Sequence, residues 1–303
     1  MKEKMDERSH KNKKKLFCFG YGYVAEHLAQ TLKTDDPTWE ICGTTRDPDK
    51  LKILREKDVK AFWFSDEKPF YDPLFALEDV THILISIPPN KRGDLVFQSH
   101  ARDILQIPSV KWIGYCSSTA VYGDRDGEWV DEKSEIRPTS ERGTKRARAE
   151  SAWLKMRRIA GIPINIFRIS GIYGPGRSAI DTVRAGNSRR IDKPGHVFNR
   201  IHVDDIVQAM IASMSHPKPG DIYNLADDDP SPSHEVISYA CELLGKEPPP
   251  LVPYNDMMDM APMARSFYKD NKRIRNDKIK NKLGVRLKYP DYKAGLKAIF
   301  EAE

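Results

Sequence analysis

An apolar run, Leu16-Phe-Cys-Phe19, passes directly into Gly20-Tyr-Gly22-Tyr-Val-Ala25 and then into a stretch with helical spacing of apolar residues. Few local sequences restrict a fold so narrowly. A strand that stops at Gly20-x-Gly22-x-x-Ala25 asks for a tight turn at Gly20 and close approach of a ligand at Gly22. The small Ala25 lets the following helix lie on the strand. The helix start then offers N–H groups and the positive end of its dipole, which suits a pyrophosphate. The spacing predicts a dinucleotide site built from Gly20, Tyr21, Gly22, Tyr23, Val24 and Ala25 at the head of a βαβ unit.

The next 150 residues keep that rhythm. Strand candidates are Lys15–Phe19, Glu40–Thr44, Val59–Phe64, His82–Ile87, Lys111–Ser117 and Pro163–Arg168, separated by helix-like segments such as Val24–Leu32, Leu95–Leu105 and Arg146–Ala160. The strands are short and mostly not alternating, as expected when both faces of a parallel sheet are covered. The expected fold class is α/β, a doubly wound parallel Rossmann-type sheet with a smaller, interleaved C-terminal substrate region. Residues 1–15 read as a disordered basic tail and 16–175 as the NAD(P)-binding domain, to which 202–226 return. Residues 176–201 and 227–303 form the smaller region. Within it Ser231 and Pro232 read as the N-cap and first turn of a helix reaching Leu244, and Asp204 and Asp205 as caps of a helix over Ile206–Met214.

The second strand should end about 20 residues past the glycines, where NAD binders carry an acid for the ribose hydroxyls. Here it ends Cys42-Gly-Thr44-Thr45-Arg46, with Asp47 just beyond. Hydroxyls and a guanidinium suit a 2′-phosphate, so NADP is expected over NAD, with Thr44, Thr45 and Arg46 as contacts. Asp47 is the ribose contact if the strand ends one or two residues later. Ile87 and Pro88 are further candidate cofactor contacts.

Composition narrows the partners. The chain of 303 residues is 39% hydrophobic and 31% charged, with no apolar run near the ~20 residues a spanning helix needs. Its net charge is +6, but residues 1–15 hold seven Lys/Arg and three Asp/Glu, leaving only +2 on the rest. A nucleic-acid binder would carry its basic surface on the fold. Cys18, Cys42, Cys116 and Cys241 have no metal or disulfide spacing, so reduced thiols in a cytoplasmic protein and no metal are expected.

Four separated motifs resemble the extended short-chain dehydrogenase/reductase family, in its epimerase/dehydratase branch. After the glycine loop come Ser117-Ser118-Thr119-Ala-Val-Tyr122-Gly123, Arg168-Ile-Ser-Gly-Ile-Tyr173-Gly-Pro-Gly176, Arg200-Ile-His202-Val-Asp204-Asp205 and Tyr223-Asn224-Leu-Ala. The first is similar to the family's segment bearing the active-site Ser/Thr, and the second to its loop beside the nicotinamide. The resemblance implies a small-molecule substrate and leaves room for a homodimer through the helix Arg146–Ala160.

It also locates a departure. Where the family carries Tyr-x-x-x-Lys, this chain reads Arg142-Gly143-Thr-Lys145-Arg146, with Glu150 following. Arginine cannot exchange a proton near neutrality. The chain therefore resembles an atypical subgroup that lacks the pair. Tyr122 and Tyr173 are the candidate replacement acids, and Ser118 either polarises a substrate oxygen or caps a turn. Arg142 and Arg146, four apart, share a helix face suited to a carboxylate or phosphate, and Arg146 is also a candidate for the nicotinamide ribose. Asn199, Arg200, His202, Arg265 and Tyr268 are candidate substrate contacts. Lys272 and Arg273 continue the helical spacing of Arg265 and Tyr268 in a segment, 263–288, with ten Lys/Arg against two Asp. Two functions follow: an NADP-dependent oxidoreductase or epimerase-like enzyme on a small anionic or sugar-like substrate, or a non-catalytic NADP-binding redox sensor or regulatory subunit.

Overall fold

The computed structural model describes residues 14–68, 70, 72–216, 218–257 and 261–303; the tail expected over 1–15 lies outside them save for its last two residues. Seven strands make the central sheet: β1 (Lys15–Phe19), β2 (Glu40–Thr45), β3 (Lys60–Trp63), β4 (His82–Ile85), β5 (Trp112–Ser118), β6 (Ile164–Ile169) and β7 (Ile222–Leu225). Their order is β7-β6-β5-β4-β1-β2-β3. The pairs β1–β2, β1–β4, β2–β3 and β4–β5 are all parallel. The chain steps outward from β1 to β2 and β3, then returns to the other side of β1 as β4. That reversal opens a crevice at the carboxyl end of β1, the usual ligand position in such sheets. The expected α/β Rossmann-type class is the observed one.

Each strand matches the sequence reading within two residues. The reason is visible in β1, where all five residues are buried, Lys15 included, so both faces are covered. Lys15 belongs to this strand rather than to a tail. On one face Phe17 and Phe19 meet Phe62, Phe64, Phe70 and His100, with ring centroids 4.7–6.0 Å apart. The apolar stripe of the helix Tyr23–Asp35 is Val24, Ala25, Leu28, Ala29 and Leu32, at the spacing a covered sheet demands.

The described residues form two compact units. The first comprises those up to Ser117 with Arg148–Phe167 and Ser213–Asp221; the second comprises Ser118–Ala147, Arg168–Ala212 and Ile222–Glu303. The second unit holds three short parallel pairings, Gly171–Tyr173 with Arg200–His202, Arg190–Asp192 with Leu251–Pro253, and Trp129–Val130 with Arg273–Ile274. Its main apolar cluster joins Tyr173, Ile180, Val183, Val236, Ala240, Tyr292, Leu296 and Ile299.

Three local expectations change. The helix begun by Ser231-Pro232 spans Ser233–Leu243 with Pro232 at its N-cap. Ser231 instead pairs with Phe198 as an isolated bridge, its hydroxyl turned back to Asp229. Asp204 and Asp205 lie inside the first turn of the helix Val203–Ser215 rather than capping it. Asp205 accepts the N–H groups of Lys288 and Tyr289, so a distant segment claims that carboxylate. The helical spacing of Arg265, Tyr268, Lys272 and Arg273 is accidental, since the helix Pro262–Phe267 stops first and Arg273 is in a strand.

Candidate functional site

In the first unit the glycine loop is pinned from both neighbouring strands. Gly20 has φ +88°, and a Cβ there would stand 2.9 Å from Ile87 Cγ1 and 3.0 Å from Ser86 Oγ. Ser86 Oγ donates to the Gly20 carbonyl at 2.6 Å, while Gly20 N–H donates to Thr44 Oγ1 at 2.8 Å. Tyr21 N–H reaches the Thr44 carbonyl at 2.8 Å. Gly22, at the N-cap of the helix Tyr23–Asp35, differs in kind. Its φ of −99° suits any residue, and a Cβ there would meet nothing within 4 Å. The missing side chain keeps space open at a helix N-terminus. That geometry fits a pyrophosphate.

The other residues predicted around the cofactor divide. Val24 and Ala25 are on the buried face of the helix Tyr23–Asp35, and the Tyr21 ring packs on Gly43, so these three contribute backbone and packing. Tyr23 stands half-buried beside His27, with ring centroids 4.4 Å apart. Thr44, expected at a 2′-phosphate, is buried with its hydroxyl holding Gly20; its role is to shape the loop. Thr45 Oγ1 accepts the Asp47 N–H at 3.1 Å. Asp47 caps the helix Pro48–Glu56, its Oδ1 accepting from Asp49 and Lys50 N–H. Arg46 is left exposed at the tip. Ile87 is half-buried against Gly20 and Pro88 is exposed.

In the second unit, Ser118 ends β5 and its Oγ accepts the Ala120 N–H at 3.2 Å, capping the 3-10 turn Thr119–Tyr122. The helix Glu141–Ala160 starts beside that turn. Ser140 Oγ accepts the Gly143 N–H at 3.1 Å, and a Cβ on Gly143 would stand 2.5 Å from the Ala120 carbonyl oxygen. Only glycine permits the approach, which sets Arg142 next to the turn after Ser118. Arg142 is exposed with its guanidinium 4.4 Å from the Phe267 ring centroid. Arg146, half-buried, follows one turn later on the same face. Lys145 pairs with Glu141 at 2.7 Å.

The two tyrosines are occupied elsewhere. Tyr122 is fully buried; its hydroxyl donates to Asn224 Oδ1 at 2.7 Å and accepts from Arg168 at 2.9 Å. Burial pushes that hydroxyl up to about 12 against the pull of Arg168. Tyr173 donates to the Asp291 carbonyl at 3.2 Å, and burial, then Asp227 and Asp205, push it higher still. Neither hydroxyl is placed or tuned to deliver a proton near neutrality. Tyr122→Phe should lower stability by about 1–2 kcal/mol, because it strips a partner from the buried Arg168 and Asn224. Urea unfolding of the variant measures this.

Most predicted substrate contacts prove to be structural. Asn199 donates to the Lys272 carbonyl at 2.9 Å and accepts from Ile274 N–H at 2.8 Å. Arg200 donates to the Phe198 and Ser231 carbonyls at 3.1 and 3.0 Å. His202 accepts the Asp204 N–H at 3.1 Å and is flanked by the Tyr173 and Tyr289 rings. Tyr268 is buried among His196, Phe198 and Tyr254, its hydroxyl bonded to Ser233 at 2.8 Å. Arg265 donates to the Met257 carbonyl at 2.7 Å. Phe267 and Asp270 were not picked out from the sequence, although an acid inside a basic run was a usable signal. Among the described residues no group of three or more His, Cys, Asp or Glu could hold a metal, and no helix is long and apolar enough to cross a membrane. All four cysteines are buried, and none forms a disulfide.

Comparison with known proteins adds three relatives and one family model. The model of the NAD dependent epimerase/dehydratase family matches residues 102–226. A conserved protein of unknown function from Silicibacter pomeroyi DSS is 45% identical, with TM-score 0.87 over 95% of this chain and 99% of that one. Protein YeeZ of Escherichia coli K12 is 26% identical over 92% of this chain and 97% of its own. The UDP-glucuronic acid 4-epimerase of Bacillus cereus, solved with UDP-glucuronic acid and NAD, is 17% identical and superposes with TM-score 0.75 over 95% of this chain and 98% of that one. That last likeness is one of fold.

Proposed function

The chain belongs to the NAD dependent epimerase/dehydratase family, and on that footing we propose that it is an NADP-dependent oxidoreductase or epimerase-like enzyme acting on a small anionic or sugar-like substrate, with proton chemistry that does not use a Tyr-x-x-x-Lys pair. One observation carries the cofactor reading. At the tip of β2 the carboxylate of Asp47 is turned to the start of the next helix, where its Oδ1 accepts the Asp49 and Lys50 N–H groups, while the guanidinium of Arg46 stands exposed. A guanidinium matches a 2′-phosphate as a carboxylate cannot.

The nicotinamide of the bound dinucleotide supplies hydride transfer. The chain's own part is to bind and orient. The loop Gly20–Ala25 presents backbone N–H groups to the pyrophosphate, and Arg46 pairs with the 2′-phosphate. Arg142 holds a carboxylate or phosphate of the substrate, its fork steadied by Phe267. Ser118 turns its hydroxyl proton to the reacting oxygen while its lone pair keeps the Ala120 N–H. A specific observation also favours the sensor reading: both tyrosines that could replace the missing acid are locked in internal hydrogen bonds.

Calorimetric titration with NADPH, NADP⁺, NADH and NAD⁺ tests both. Micromolar binding of a phosphorylated form is expected, weakened about tenfold, or about 1.4 kcal/mol, by Arg46→Ala, with NADH and NAD⁺ unaffected. A strong preference between NADPH and NADP⁺ supports the sensor. Absence of binding by all four at millimolar concentration sinks both readings.

A further inference from the structure

Lys272 is a buried amine with a distant counter-ion. Only 7% of the residue is exposed, and the one carboxylate within 4 Å of Nζ among the described residues is Asp270, at 3.7 Å. The other oxygen of Asp270 accepts a hydrogen bond from the Thr139 hydroxyl. Thr139 is three residues before Arg142, and Asp270 three residues after Phe267, over whose ring Arg142 lies. Two contacts therefore tie the segments 139–142 and 267–272 side by side, with Asp270 linking Lys272 to the segment that carries Arg142.

The backbone around the amine is held from several directions. Asn199 bonds the Lys272 carbonyl, Asn271 N–H donates to Asp124 Oδ1 at 2.7 Å, and Asn271 Oδ1 accepts from Val197 N–H at 3.1 Å. Arg273 N–H donates to the Glu128 carbonyl at 2.9 Å. A side chain supported in this way keeps its position when a ligand arrives.

The charged surroundings are mixed. Burial draws the Lys272 ammonium below the ordinary lysine range; Asp270 and Asp124 pull it back up, and Arg125 pushes it down. Nearby His196, which burial and Lys193 hold down to about 4, is neutral and sets no like charge against the ammonium. A lysine so placed can act as acid and base, which an arginine cannot.

We propose that Lys272 is the proton-exchanging group of the second unit, giving a proton from Nζ to an oxygen of an anionic substrate whose carboxylate or phosphate is held by Arg142. The inference rests on the enzymatic reading above. In the step, one Nζ–H bond breaks and one O–H bond forms; the N–H electron pair stays on nitrogen as the neutral amine, which regains its proton from water or from the reverse step. Asp270 is a positioning residue, holding the ammonium from one side while its second oxygen is fixed by Thr139.

Competitive acetylation of the full chain with trace acetic anhydride from pH 6 to 11, read by peptide mass spectrometry, tests this without any turnover. Lys272 should label with a midpoint below that of an ordinary lysine, ~10.4. Inorganic phosphate at 50 mM should cut its labelling at pH 8 at least threefold, and Arg142→Ala should abolish that protection. Asp270→Asn should move the midpoint further down, and the wild-type profile decides the matter if that variant does not fold. An ordinary midpoint, no labelling of the folded chain, or labelling indifferent to phosphate overturns the proposal. Because labelling is independent of the dinucleotide, failure of the NADPH titration remains a separate result.

Discussion

Gly22→Asp is expected to abolish dinucleotide binding, by about 100-fold or more, without lowering the melting temperature. The two halves of this result have different causes. Binding is lost because the new carboxylate fills the open space above the helix start and sets a negative charge against the pyrophosphate, reversing an attraction built from N–H groups and the helix dipole. Stability is kept because Gly22 has an extended backbone that any residue can adopt, with nothing within 4 Å of its Cβ position. Aspartate is also a favoured N-cap, and no side chain caps this helix at present, so a small gain of about 0.5 kcal/mol is expected. Gly20→Ala makes the contrast. At φ +88° and 2.9 Å from Ile87 Cγ1, its methyl should cost about 1–2 kcal/mol of stability. Calorimetry with NADPH and thermal unfolding of both variants give the four numbers. Unimpaired binding by Gly22→Asp would falsify the assignment of this loop to the pyrophosphate, and a large fall in its melting temperature would contradict the loop geometry.

That contrast also shows where a sequence can be read. The glycine loop was legible because its constraints are local: a turn, a close approach and a small packing residue are all set by positions within six of one another. The strands were legible because a doubly covered sheet asks for short, unbroken apolar runs, and β1 is one from end to end. The C-terminal candidates were not legible, because their roles are decided by partners far along the chain. Asn199 is spent on Lys272 and Ile274, some 75 residues away, and Tyr122 on Asn224, about 100 residues away. A polar residue in a motif looks the same whether its hydrogen-bonding groups face a ligand or another strand. Thr44 is the sharpest case, since its position at the tip of β2 was right and its hydroxyl points inward to Gly20. Gly143 carries the converse lesson, because the close approach it permits is what sets Arg142 beside the turn after Ser118.

The wild-type protein should lose about 2 kcal/mol of stability between pH 6.5 and 8 through one carboxyl group, and Asp227→Asn should remove that loss. Asp227 is 2% exposed in the turn after β7. Its N–H donates to the Arg200 carbonyl at 2.7 Å, and its Oδ2 has no hydrogen-bond partner. Burial pushes the carboxyl up to about 8, with Arg200 pulling down and Asp229 and Asp228 pushing up. In the unfolded chain the same group ionises near ~3.9. Between those values the native state holds one proton more than the unfolded state, so stability falls as pH rises, by about 1.4 kcal/mol per unit, and levels off above about 8. The comparison with the variant isolates the group. Asp205, raised to about 6 by burial, finishes ionising at the low edge of the window, and His82 and His196, held down to about 4 when folded, still bind protons there in the unfolded chain; both contributions are common to wild type and variant and cancel between them. Asparagine keeps the shape and the Oδ1 acceptor for Asp229 N–H while carrying no charge to bury. Urea midpoints at pH 6.5, 7.0, 7.5 and 8.0 should therefore fall more steeply for the wild type than for the variant. Parallel slopes would mean that Asp227 is already ionised in the native state, with Arg200 as its full counter-charge despite the absence of a direct hydrogen bond to Oδ2.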